Sequence, residues 1–334
     1  FGYYLRDLAT ELGLGVPVPV VGMALATAVL LTGVSITGTE NTGDLQNWIV
    51  ASLLTLLGGF LGHGGLDVLG VFGREQVPEA FFPYGVLPVF TTAALIFTSY
   101  LGFVQIATVA GEIKNPARNL PRSMIGSVVL VGLLYVLTIF IGTSLLGSEQ
   151  LSSLGETAIV NVGRAIAGTF GAAALLGGGL LATLSSANAS ILSASRSIYA
   201  LSRDDLVPRS VETLNKRYRT PHVALLLAGG PILGLILYGR VEILAEVASL
   251  LHLVMYGLIC VALLVLRRAD PDSYAPSFRC PGHPVVPALG ALASFGLIGF
   301  MNPLSIALGG LILLAAAGWY LIYARSVTLS ELSS

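Results

Sequence analysis

Apolar positions along this chain come in long unbroken runs, separated by short polar stretches rather than alternating with them. Nine such runs stand out, over residues 17–37, 48–70, 87–109, 123–146, 168–200, 222–238, 243–266, 285–301 and 304–323, two of them only marginally long enough. A helix crossing a bilayer needs about 20 mostly apolar residues. A membrane barrel would instead show alternating segments of about 10 residues. Because lipid offers no hydrogen-bond partners, backbone at that depth must satisfy itself, and a helix does so within one segment. The pattern predicts an all-α polytopic membrane protein with about nine spanning helices.

Composition agrees. Of 334 residues, 54% are hydrophobic and 10% charged, against roughly 25% charged in soluble domains. The net charge of −1 identifies no partner. Cys260 lies in an apolar run and Cys280 in a polar loop, so neither a disulfide framework nor a metal site is indicated. The opening "FGYYLRDL" reads as the tail of an earlier apolar helix, without a signal peptide's charged start or cleavage site. A truncated N-terminus is therefore expected.

Basic residues set an orientation. If the first full span runs from outside to inside, thirteen of the 17 Lys and Arg residues fall inside: Lys114, Arg118, Arg122, Arg196, Arg203, Arg209, Lys216, Arg217, Arg219, Arg267, Arg268, Arg279 and Arg325. Arg6, Arg74, Arg164 and Arg240 fall outside. By the positive-inside rule the C-terminus is cytoplasmic. The loop "GSEQLSSLGETAIVN" between the fourth and fifth spans carries acids and no base, as an external loop can.

Two spans carry candidate chemistry. The third contains Thr98, Ser99, Tyr100 and Gly102 where a plain membrane helix would continue with Leu and Val. Glycine costs a helix interior about 1 kcal/mol relative to alanine. Irregular backbone at membrane depth is tolerated only where it is buried or lines a cavity. One reading is a broken helix whose freed backbone groups hold a zwitterion or an ion. The other is a packing glycine with hydroxyls bonded back to their own helix. In the fifth span, Thr183, Ser186, Ser190, Ser193 and Ser197 recur at spacings of three and four, along one helix face. Such a face suits a close helix–helix interface or, through its oxygens, a hard cation.

Ionisable residues within spans are few and are functional candidates by default. His252 and Glu246 lie in the seventh span, and His63 and Asp67 near the outer end of the second, where both could simply be wet. No catalytic nucleophile–base set and no His/Cys/Asp cluster with metal spacing is visible. "GHGGLDVLG" lacks a preceding strand, so a dinucleotide site is not supported. The basic loops follow from topology, which leaves nucleic-acid binding without support.

The motif "SYLGFVQIATVAGEIKNPARNLPRSMIGS", followed by "SSANASILSASRSIYALSRDDLVP", resembles helices six and eight of the amino acid–polyamine–organocation permeases. The resemblance implies a fold of two inverted five-helix repeats. Residues 1–334 would be a single permease domain running from the end of helix three to helix twelve, with helices one and two missing. It implies a transporter of amino acids, not an enzyme, in the plasma membrane, with no cofactor beyond a coupling Na+ or H+. The substrate amino group would meet main-chain carbonyls around Thr98, Ser99 and Leu101, with Tyr100 and Gly102 shaping the break. Ser190 would face the substrate, and Ser185 and Ser186 a cation. Glu112, Asn115, Pro116, Arg203 and Asp204 would belong to the inner, gating loops.

Three departures qualify this. The Gly-rich break expected in helix one, which would bind the substrate carboxylate, is not in the sequence. Leu53 stands where some proton-coupled members carry lysine, leaning towards sodium or exchange. Val104 stands where many relatives carry an acid, so a cationic substrate is not inferred. Two other classes compete: a membrane enzyme using His252 and Glu246 on a lipid, and a non-transporting sensor or truncated paralogue. The identity of the amino acid and the oligomeric state are left open.

Overall fold

Each of the nine apolar runs contains a helix among the described residues of the computed structural model, which are 1–11, 13, 19–37, 42–71, 84–100, 102, 106–107, 110, 113–269, 276 and 278–324. The order is α1 (Gly2–Glu11), α2 (Val20–Thr37), α3 (Thr42–Val68), α4 (Leu87–Ile96), α5 (Pro116–Leu146), α6 (Ser148–Ser153), α7 (Ala158–Arg203), α8 (His222–Tyr238), α9 (Val241–Ala269), α10 (Val285–Ile298) and α11 (Pro303–Trp319). Among the described residues six helices are long and apolar enough to span a membrane, and three shorter apolar ones cover Leu87–Tyr100, His222–Tyr238 and Val285–Ile298. The chain is an all-α polytopic membrane protein.

Boundaries differ from expectation where local chemistry decides them. The basic, proline-marked loop before residue 123 is largely the start of α5. Asn115 adopts φ 50°, a left-handed value that asparagine tolerates, and Pro116 follows as the first helical residue. The stretch between the fourth and fifth spans is no open loop either. It holds α6, a 3₁₀ turn at Gly155–Thr157 and the first turns of α7. α7 itself bends at Ala167 and Gly168, and Gly168 takes φ 61° and ψ −148°, a region open only to glycine. Past the bend the helix folds so tightly that a Cβ on Gly171 would overlap the Gly163 carbonyl oxygen.

The chain divides into two compact units. The first holds residues 1–81, 130–203 and 208–239, hence α1 to α3, most of α5, and α6 to α8. One core joins Phe60, Val68, Ile141, Val162 and Leu175 from α3, α5 and α7. A second seats Tyr4 and Leu8 of α1 on Val160, Ala172 and Leu176 of α7. Small residues permit the close approaches. A Cβ on Gly229 of α8 would strike the Thr32 side chain of α2, and one on Gly179 would lie 2.6 Å from the Tyr4 ring.

The second unit holds residues 82–129, 204–207 and 240–334, hence α4, the start of α5, and α9 to α11. Its core is Ala94, Leu250, Leu253 and Met301, with Phe97, Leu297 and Ile306 packed against it. Phe90 stacks on Phe300 with ring centroids 5.2 Å apart. Asn302 caps α11, its side chain accepting from the Leu304 amide at 2.9 Å, and Pro303 opens the helix.

Candidate functional site

In the second unit, α4 gives way after Ile96 to a 3₁₀ turn over Phe97–Tyr100, the place where the sequence interrupts its apolar run. Two contacts anchor the turn. Phe97 packs on the α4–α9 core and meets the Tyr256 ring edge-on at 5.8 Å. The Thr98 hydroxyl donates back to the Leu95 carbonyl at 3.2 Å, so for this residue the local hydrogen bond holds. Thr98 and Tyr100 are half-buried, while Ser99 and Gly102 are exposed. Leu101, Val104 and Glu112 lie outside the described residues. A 3₁₀ turn pairs each amide with the carbonyl three residues back, so its ends leave carbonyls at angles unlike those of a continuing α-helix.

In the first unit, α7 carries the hydroxyl series. Ser186, Ser190 and Ser197 are exposed, Ser185 and Ser193 half-buried, and Ser195 buried. Thr183 bonds back to the Gly179 carbonyl at 2.9 Å and Ser197 to that of Ser193 at 3.0 Å. Close helix packing, the other reading of this stripe, occurs one to two turns earlier. There, Cβ atoms on Gly178 would lie 3.2 Å from Leu56 and 3.6 Å from Leu53. The position that the family resemblance links to a lysine is thus an apolar packing contact with α7. The exposed hydroxyls at 186 and 190 do not take part in it.

The inner-loop candidates fall at helix ends. Asn115 and Pro116 are exposed at the start of α5, where the Asn115 carbonyl accepts from the Arg118 and Asn119 amides. Arg203 and Asp204 are exposed at the end of α7, just after Ser202, whose buried hydroxyl donates to the Pro208 carbonyl at 2.9 Å. Thr98, Ser99, Tyr100 and Gly102 therefore lie in one unit, and Ser185, Ser186 and Ser190 in the other.

Several polar groups escaped the sequence reading. Asn188 Oδ1 lies 3.1 Å from the buried Ser35 hydroxyl, which also donates to the Leu31 carbonyl at 2.8 Å. Ser305, fully buried, donates to Glu246 Oε2 at 2.6 Å. Ser249 is equally buried. Single serines in apolar runs carry no pattern, so only the partner across the helix pair could reveal them. Of the two candidates near the outer end of the second span, Asp67 is buried at 3% exposure, whereas His63 is exposed. Among the described residues no group of three or more His, Cys, Asp or Glu side chains could hold a metal.

Comparison with known proteins places this architecture. The model of a family described as "Amino acid permease" matches residues 8–293. The chain is 31% identical to the branched-chain amino acid permease BcaP of Bacillus subtilis (strain 168) over 239 residues, 70% of this chain and 50% of that protein. It is 27% identical to the methylthioribose transporter of the same organism, over 78% of this chain and 55% of that one. With the serine/threonine exchanger SteT, also from that organism, the identity is 25% over 83% of this chain and 63% of SteT. The chain thus spans between half and two thirds of the length of these relatives.

Proposed function

The chain belongs to the amino acid permease family, and on that premise we propose that the full-length protein is a secondary transporter moving amino acids across the plasma membrane by alternating access. The observation that carries the reading is the loss of α geometry at Phe97–Tyr100, inside an apolar run otherwise long enough to span. In transporters built this way, interrupted helices present backbone groups to the substrate near the bilayer midplane. The amino group of a zwitterionic substrate meets main-chain carbonyls at Thr98, Ser99 and Leu101, with Tyr100 and Gly102 shaping the turn. Ser190 offers a hydroxyl to the substrate, and Ser185 and Ser186 lie beside a coupling cation, Na+ or H+. Glu112, Asn115, Pro116, Arg203 and Asp204 govern opening on the cytoplasmic side, where the C-terminus also lies.

Both compact units belong to one permease domain with the inverted five-plus-five arrangement. Conformational cycling, rather than covalent chemistry, does the work, so the protein is not an enzyme. The names of the relatives support amino acid cargo: one takes branched-chain amino acids and another exchanges serine and threonine. The test is uptake of a panel of radiolabelled amino acids by proteoliposomes containing the full-length protein, with Gly102→Leu beside it. Saturable uptake by the parent, lost in the variant at equal protein yield, is the expected result. Equal uptake by both would reject the role given to the break.

A further inference from the structure

The connection between α7 and α8 gathers positive charge. From residue 206 to residue 241 the sequence holds a single acid, Glu212, against Arg209, Lys216, Arg217, Arg219 and Arg240. Three of these cations crowd into residues 216–219, which read Lys-Arg-Tyr-Arg.

Hydrogen bonds fix the backbone that carries them. The Asn215 amide donates to the Thr220 carbonyl at 2.8 Å, and the Asn215 carbonyl accepts from the Arg219 amide at 2.8 Å. Asn215 Oδ1 accepts from the Arg217 and Tyr218 amides at 2.8 and 3.3 Å. Arg219 closes the turn at φ 54°, a left-handed value uncommon outside glycine. The turn is also tied to a spanning helix, because the Thr220 hydroxyl donates to the carbonyl of Ile36, in the last turn of α2, at 2.6 Å. Two residues later His222 begins α8. The cations are therefore held where two apolar helices end. No residue between Asn215 and Thr220 is more than two from one of these joined ends, about 7 Å of chain at most. That reach is within the Debye length of about 8 Å at physiological salt.

Little within the turn offsets the charge. Lys216, Arg217 and Arg219 are exposed, and among the described residues none of them forms a salt bridge. The Arg217 guanidinium lies 5.2 Å from the centre of the Tyr218 ring, a contact that brings no negative charge. Like charges held this close repel one another, and a negative partner outside the turn relieves that repulsion. Leu214 and Tyr218, 50% and 38% exposed, add the apolar and amphipathic surface that suits a membrane–water interface.

We propose that this turn docks the anionic headgroups of phospholipids, its three cations engaging the phosphate oxygens while Leu214 and Tyr218 rest at the membrane surface. Two of the cations are arginines, whose planar forks match phosphate with paired charge-assisted hydrogen bonds. A basic residue beside a span favours anionic lipid by about fivefold at the surface. A nucleic acid or an acidic protein offers similar charge, but the lipid surface is already within reach. The inference rests on the membrane-spanning fold, and neither the cargo nor the orientation enters it.

The experiment places the full-length protein in phosphatidylcholine nanodiscs containing a trace of chain-spin-labelled phosphatidylglycerol or phosphatidylcholine. Electron spin resonance then reads the fraction of labelled lipid held at the protein surface. The parent should hold phosphatidylglycerol on the order of fivefold more strongly than phosphatidylcholine. Salt at about 1 M, where the Debye length is about 3 Å, should remove most of that excess. The triple variant Lys216→Gln, Arg217→Gln, Arg219→Gln should lose the excess at low salt. A control triple of equal charge change at other exposed sites, Arg118→Gln, Arg122→Gln, Arg268→Gln, should keep most of it. Equal holding of both lipids by the parent overturns the proposal and leaves these cations to a soluble acidic partner. An undiminished excess in the turn variant, or an equal loss in the control, overturns it as well. If the turn variant does not insert, the single variants R217Q and R219Q decide: each should lose part of the excess, and parental values in both overturn the proposal.

Discussion

α4 and α7 look alike as apolar runs seeded with small and hydroxyl residues, yet they behave oppositely. α7 carries three consecutive glycines, Gly177 to Gly179, and six serines between residues 185 and 197, and stays helical from its bend to Arg203. α4 loses α geometry at a single Thr-Ser-Tyr stretch. Propensity alone ranks them the wrong way, since each interior glycine costs about 1 kcal/mol. The difference lies in the packing. Gly178 and Gly179 are covered by Leu56 of α3 and Tyr4 of α1, where a Cβ would lie 3.2 Å from the Leu56 side chain and 2.6 Å from the Tyr4 ring. In the first unit the glycines are thus part of what holds the helix. At the end of α4 the anchoring contact, Phe97 on Tyr256, comes at the start of the turn, and Ser99 beyond it is exposed.

The largest test of this contrast is at the α7 bend. Gly171→Leu should yield no folded protein, because its side chain would meet the Gly163 backbone rather than a movable group; a monodisperse size-exclusion peak at parental yield would contradict the packing account. Next, Gly102→Leu should lower uptake on the order of 10²-fold, the scale of misplaced reacting or binding groups, with yield preserved. The two substitutions separate a glycine needed for folding from one needed for transport. Ser190→Leu should raise the substrate concentration for half-maximal uptake, whereas Thr183→Val, which removes a hydroxyl already bonded to its own helix, should leave uptake and thermal stability within about 0.5 kcal/mol of the parent. Equal effects of these two would mean that the α7 hydroxyls share one role. The smallest effect is expected for Asn188→Leu. It removes one interhelical partner of Ser35, on the order of 0.6 kcal/mol, because the Leu31 carbonyl still accepts from that hydroxyl. A thermal-shift measurement in detergent would read it.

Run length and the scarcity of charge settled the class of this protein, since nothing but helices can carry such apolar stretches through lipid. The two motifs around the third and fifth spans pointed to the family that the match over residues 8–293 shows. The interruption at Thr98 to Gly102 was visible as chemistry out of place, and α4 does end there. What the sequence could not show depends on pairs of residues far apart along it. The Ser305–Glu246 bond, the Asn188–Ser35 contact and the burial of Asp67 exist only because particular helix faces meet. The same holds for the bend at Gly168 and for α5 starting at Pro116 rather than after Pro121. Periodicity records which residues avoid water, but in a chain apolar on nearly every side it does not say which face meets which neighbour. Packing decides that, by admitting glycine where two helices touch and serine where an acid needs a donor.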